Sequence, residues 1–206
     1  MKISYGILTH NEGAYIERLL SFLVSHKREE DEIVVVDDYS EDVLTKAILE
    51  EYEADAHIKL YKHSLENHFG IQKNFLNSVC SGDFIFQIDA DELPSEYLMK
   101  RIHDILLENI EIDVYFLPRI NVVNGLTEEH VKQWNWKVND KGWVNFPDWQ
   151  ARIYKNSKKI QWVNAVHETL EGFETYSAFP EIESYCLYHE KEISRQEQQN
   201  TYYNTI

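Results

Sequence analysis

Cysteine is nearly missing from this chain: Cys80 and Cys186 stand far apart, without metal-ligand spacing. A disulfide scaffold is thereby excluded, and a reduced, cytoplasmic setting is the expectation, in a host cytoplasm if the source is viral. Long apolar runs are missing too. Nothing approaches the ~18 residues of a membrane span, and Met1 leads into strand-like sequence without a signal peptide. No transmembrane segment is expected; peripheral contact with a membrane stays open. Basic residues are few, 20 Lys and Arg against 36 Asp and Glu, for a net charge of −16. That balance excludes nucleic-acid binding through a basic surface, and it means that an anionic ligand needs a cation or a local basic cluster to hold it. No Gly-x-Gly-x-x-Gly follows the first apolar run, which excludes a dinucleotide-binding Rossmann site. Internal repeats and low-complexity segments are absent as well.

What is present is alternation. Apolar β-type runs at residues 3–8, 33–36, 57–61 and 84–88 are separated by helical patterns at about 14–26, 41–53 and 67–80. Ile16, Leu19, Leu20 and Leu23 show the helical spacing of a core-facing stripe. Ile33 to Val36 is wholly apolar and β-branched, as in a strand covered on both faces. Strand–helix units in this order predict an α/β fold with a mostly parallel central sheet and right-handed crossovers. Ser40 is placed to cap the second helix, and Pro94 to open a fourth that runs to about residue 109. After a strand at 114–117, residues 121–145 lose periodicity, with Trp134, Trp136 and Trp143 among polar residues; such a segment reads as a functional loop. Two antiparallel strands are expected at 151–154 and 160–166, and a last strand at 182–189. The polar tail ends without a stop signal, so the expectation is one domain of 206 residues, standing at the N-terminus of something longer.

The chain is organised around residues 83–94, Asp-Phe-Ile-Phe-Gln-Ile-Asp-Ala-Asp-Glu-Leu-Pro. A buried strand stops at Asp89-Ala90-Asp91-Glu92, at the carboxyl edge where open α/β sheets bind ligands. Two other polar clusters end predicted strands on the same edge, Thr9 to Glu12 and Asp37-Asp38. Each alone reads equally as a helix cap. Together, without evident cationic partners for Asp38 and Asp91, they suggest a shared cation and a polar ligand. Asp89 and Asp91 meet at one point if the chain bends, and hard oxygen donors suit Mg²⁺ or Mn²⁺ with diphosphate oxygens completing the shell.

Thr9-His10-Asn11-Glu12, then Val34 to Ser40, then Lys73-Asn74 upstream of Gly82 to Ile85, then Asp89-Ala90-Asp91-Glu92 resemble, in order and spacing, the family 2 glycosyltransferases. Asp148-Trp149-Gln150-Ala151-Arg152-Ile153-Tyr154 and Val166-His167-Glu168 resemble a bacterial and viral subgroup carrying a His-Glu motif. The resemblance covers most of residues 1–170. It implies a GT-A fold with a nucleotide-binding half at 1–110 and an acceptor half at 111–206.

The implied reaction is metal-dependent transfer of a sugar from a nucleotide-sugar donor, UDP-linked by preference, to a glycan or other hydroxyl acceptor with inversion. By that resemblance Thr9, Asn11 and Glu12 line the nucleotide pocket and Asp38 accepts the imide N–H of uracil. Asp89 faces the ribose or the metal, Asp91 binds the metal, and His189 is a further metal ligand or else a surface histidine. Lys73, where many relatives carry Arg, and Arg152 are phosphate or acceptor contacts. Inversion needs a carboxylate to take the acceptor hydroxyl's proton, and the candidates are Glu168, which is favoured for its His-Glu motif, and Asp148. Competing readings are a sugar-phosphate nucleotidyltransferase, which would want a Gly-rich basic loop where Thr9 to Gly13 stands, and a non-catalytic carbohydrate-binding domain.

Overall fold

The computed structural model describes residues 1–203. Its first half follows the predicted alternation. β1 (Ile3–Thr9), β2 (Glu32–Asp37), β3 (Lys59–Lys62) and β4 (Phe84–Asp89) run parallel in the order β3-β2-β1-β4. The helices between them are α1 (Ala14–His26), α2 (Val43–Ala54) and α3 (Phe69–Val79). The period of two decides which residues meet which helices. Ile3, Tyr5, Ile7, Ile33, Val35, Phe84, Phe86 and Ile88 face one core with the α1 stripe. Val34, Val36 and Ile85 face the other with Leu76 of α3. Gly6 lets α3 lie close, since a Cβ there would sit 3.0 Å from the Leu76 side chain.

The second half extends the same sheet. It contains β5 (Glu92–Pro94), α4 (Glu96–Glu108), β6 (Val114–Asn124), α5 (Glu128–Gln133), β7 (Val144–Lys155), β8 (Gln161–Val163), β9 (Thr169–Glu171), β10 (Tyr176–Ala178), β11 (Leu187–Glu192) and α6 (Ile193–Tyr203). The main path is β3-β2-β1-β4-β7-β6-β11-β5, with β10 on the flank of β6, and β8 and β9 form a separate antiparallel pair. The result is an α/β molecule with a mostly parallel sheet and a smaller antiparallel portion, as the sequence predicts.

Several local expectations need correction. Pro94 does not open α4; it ends β5, and Ser95 caps the helix by accepting from the Leu98 N–H at 3.1 Å. Ser40 does not cap α2 either, because its N–H and hydroxyl bind Asp37 while Asp42 takes the cap. The unperiodic segment at 121–145 begins as the end of β6 and contains α5, which Thr127 and His130 close with a capping box. Residues 151–154 belong to a twelve-residue β7 that pairs with β4 and β6. β8 pairs with β9 instead, so the expected 151–154 and 160–166 hairpin does not form.

Away from the cleft, Glu32 anchors the amino end of the sheet. It accepts from Lys2 and Lys59 Nζ at 2.8 and 2.7 Å, from Ser4 Oγ at 2.6 Å, and from the backbone N–H and hydroxyl of Ser81. Burial alone would raise its pKa, but these donors outweigh burial and hold the carboxyl well below the usual range. A carboxylate so depressed contributes stability that is fully present above its unfolded pKa near ~4.3 and is lost as pH falls through the folded value. Glu32→Gln should cost about 1–3 kcal/mol at pH 7, and the gap to wild type should narrow as pH drops below ~4. Urea unfolding at pH 7 and pH 3.5 checks this; a gap that does not change with pH contradicts it.

Candidate active site

The carboxyl ends of β1, β2 and β4 open into a cleft of about 1270 Å³, walled on the far side by β6, β7, the loop before β9, β11 and α6. Thr9, Glu12, Asp38, Lys73, Asp89, Asp91, Asp148, Arg152, Glu168 and His189 all line it. One nominated residue stays out of the lining. Asn11, at φ 56°, turns its Oδ1 to the backbone N–H groups of Glu41 and Asp42, at 2.8 and 2.9 Å, and so braces the loops around Asp38. Thr9 Oγ1 is buried without a hydrogen-bond partner, a polar atom left for something the protein does not supply. Asp38 Oδ1 accepts from the Leu65 N–H at 2.9 Å, and its Oδ2 lies 3.9 Å from His10 Nδ1.

The strand ends are less bare of cations than the sequence suggests. Asp89 is bound through both oxygens by Arg152, and its Oδ1 also accepts from Gln87 Nε2 at 2.8 Å. Its side chain remains 38% exposed toward the cleft. Behind it, Glu92 is completely buried and receives Arg152 Nη2 at 2.6 Å and Arg119 Nη1 at 2.8 Å. Burial would raise Asp89's pKa, yet the charges of Arg152 and Lys73 drive it strongly down. Asp148 accepts from Arg119 Nε and Nη2, from Asn121 Nδ2 and, on its other oxygen, from Gln150 Nε2. Against the pull of burial, Arg119 and these amides depress its pKa as well.

Asp91 also has partners. His189 Nε2 lies 3.3 Å and Arg195 Nη2 3.2 Å from its Oδ2. Burial works upward, but the hydrogen bond and charge of His189, helped by Arg195, hold Asp91 at about 2. Glu12, 2.6 Å from the same Arg195 nitrogen, keeps a raised pKa because burial prevails over that pairing. On the other side of the cleft Glu168 accepts a 2.5 Å bond from Lys73, whose ammonium sits 4.2 Å over the Trp162 ring. Lys73 therefore meets a carboxylate and an aromatic face, not open space.

Sequence reasoning missed Arg119, Glu92 as a buried counter-charge, and Arg195. A charged residue at an inward position of an otherwise apolar strand was a signal for Arg119; the polar tail around Arg195 gave none. Among the described residues no group of three or more His, Cys, Asp and Glu side chains is placed to hold a metal ion by itself.

Residues 4–170 match the model of glycosyl transferase family 2. The chain belongs to that family. It is 40% identical over 122 residues to an uncharacterized glycosyltransferase of Rickettsia felis, covering 59% of this chain and 40% of that protein. It is 31% identical over 125 residues to the SPbeta prophage-derived glycosyltransferase SunS of Bacillus subtilis, covering 60% of this chain and 28% of SunS. The matches thus take in less than half of these relatives' length. Among solved structures, residues 1–349 of S. aureus TarS in complex with UDP-GlcNAc align with a TM-score of 0.65 at 22% identity, over 93% of this chain and 59% of that one. That similarity shows a shared GT-A fold.

Arg152 is the cation on which most of the buried charge depends. Arg152→Met should destabilise the protein by about 3–5 kcal/mol, since it strands Glu92 and Asp89. Adding Glu92→Gln should recover part of the loss. Thermal melts of the single and double variants test this, and a double variant no more stable than the single one counts against it.

Proposed function

We propose that this chain carries the donor site and the catalytic base of a glycosyltransferase that moves a sugar from a nucleoside diphosphate, UDP by preference, to a hydroxyl acceptor with inversion. The observation that carries the reading is convergence. Asp38, Asp89, Asp91 and Glu168, from three separate chain segments, line one cleft at the sheet's carboxyl edge. Two facts about neighbours support the donor class: the TarS structure holds UDP-GlcNAc, and a further TarS structure holds UDP. We also read residues 1–110 and 111–206 as donor and acceptor halves of one domain, because one sheet runs through both, and that domain as part of a longer protein, because the matched relatives are more than twice as long as the stretch they share with it.

In this reading Asp38 accepts the uracil imide N–H with Oδ2, the oxygen that the Leu65 N–H does not engage, and the unpartnered Thr9 hydroxyl meets the nucleoside. Asp89, clamped by Arg152 with part of its edge open, presents a fixed acceptor to the ribose hydroxyls. Its engagement with Arg152 and Gln87 makes it a support for the metal end and leaves Asp91 as the ligand. Asp91 and His189 fit a divalent ion of the Mg²⁺ or Mn²⁺ class, which takes few protein ligands when diphosphate oxygens complete its shell. Such an ion would neutralise the leaving diphosphate.

Glu168 takes the proton of the acceptor hydroxyl as its oxygen attacks the anomeric carbon and the bond to the diphosphate breaks. The geometry favours it over Asp148. Asp148 has both oxygens occupied by four donor groups and a lowered pKa, which makes it a poor base. Glu168 makes a single side-chain hydrogen bond, to Lys73, which aims it without consuming its second oxygen. Arg152, buried against Asp89 and Glu92, orders the site from behind.

Two measurements test the proposal. Excess EDTA, or Asp91→Asn, should abolish transfer while the melting curve stays near wild type; full activity in EDTA removes the metal from the mechanism. Glu168→Gln should keep UDP binding and lose about 10²–10⁴ in kcat, whereas Asp148→Asn should fall less. Near wild-type turnover by Glu168→Gln would falsify the assignment of the base.

A further inference from the structure

α6 returns the end of the described chain to the metal end of the cleft and places one cation there that nothing above requires. Arg195 sits in its first turn with a single nitrogen, Nη2, serving both carboxylates: Glu12 Oε2 at 2.6 Å and Asp91 Oδ2 at 3.2 Å. Its guanidinium carbon lies 4.8 Å over the Tyr15 ring, and its Nε is buried with no acceptor. This is a poor use of a planar fork suited to bidentate acceptors. The Asp91 oxygen it touches is also the one His189 Nε2 reaches at 3.3 Å, the atom through which Asp91 and His189 would share an ion.

We propose that Arg195 is an internal counter-ion: it occupies the metal end between Glu12 and Asp91 when no nucleotide is present, and transfers to the donor's diphosphate when nucleotide and metal bind. The proposal rests on the donor reading above. A guanidinium and a divalent ion cannot both contact one carboxylate oxygen without strong like-charge repulsion, so ion binding at Asp91 displaces Arg195. Diphosphate oxygens then offer the fork two acceptors in place of one shared nitrogen and satisfy the stranded Nε. Tyr15 beneath the guanidinium gives it a surface on which to turn. In a chain of net charge −16, two converging carboxylates left open would collect stray cations. Arg195 suppresses that and makes tight ion binding conditional on the nucleotide.

Titration calorimetry on the full chain tests this with two ligands, Mn²⁺ alone and UDP in the presence of saturating Mn²⁺. Arg195→Ala should bind Mn²⁺ alone about tenfold more tightly and UDP about tenfold more weakly, and Arg195→Lys should move both values back toward wild type. Opposite signs are the signature, because an arginine that merely fastens α6 would weaken both ligands together or neither. Either of those results, with wild-type UDP binding intact, overturns the proposal and leaves the donor reading standing. If the wild-type chain binds no UDP with any divalent ion, the donor reading itself fails, and the role of Arg195 falls with it. Amide exchange across α6 confirms that the helix remains docked in both variants.

Discussion

The interaction on which the rest depends is the buried ionic lattice of Arg152 and Arg119 with Asp89, Glu92 and Asp148. Its members come from β4, β5, β6 and β7, so it crosses the place where the parallel first half meets the antiparallel continuation. Buried ion pairs seldom add net stability compared with apolar packing, but breaking one is costly because the surviving charge has no water. That asymmetry makes the lattice a device for specificity. Only one register of β7 against β4 and β6 lets Arg152 reach Gln87, Asp89 and Glu92 together.

The same lattice sorts the carboxylates of the cleft. It pairs Asp89 and Asp148 with guanidinium groups and lowers both pKa values, and it leaves out Asp91 and Glu168. Each of those has a long cationic side chain beside it, Arg195 and Lys73, anchored on a helix and lying against an aromatic ring. A strongly acidic protein thus holds the carboxylates of its cleft with local cations, although its surface as a whole repels anions.

The aromatic residues divide by environment. Trp162 is core, stacked edge-on with Tyr154 and donating to its hydroxyl at 3.1 Å. Trp134 packs on His130 of α5 and on Trp136, and Trp143 packs on Phe146. Trp136 and Trp149 line the cleft.

Much of the first half was legible in the sequence. Period-two apolar runs and strand–helix alternation determine a parallel sheet whatever lies further along the chain, and Asp38, Asp89 and Asp91 sit at strand ends because the runs stop there. Caps were less legible: Ser40 and Asp42 are equivalent by propensity and are separated only by Ser40 binding Asp37, while Pro94 is taken into β5 opposite Leu187 and leaves the cap to Ser95. The second half was harder still. β7 mixes Pro147, Asp148, Gln150 and Arg152 with apolar residues, and its polar positions are tolerable inside a sheet only because their partners arrive from β4 and β6. By itself, then, the sequence determined the fold class and which carboxylates stand at the sheet edge. The tertiary structure decided how each is paired, because Arg119, Arg152 and Arg195 lie 27, 63 and 104 residues from the acids they hold. Pairings so distant leave no periodicity in the chain, and they form only when the strands have been brought together.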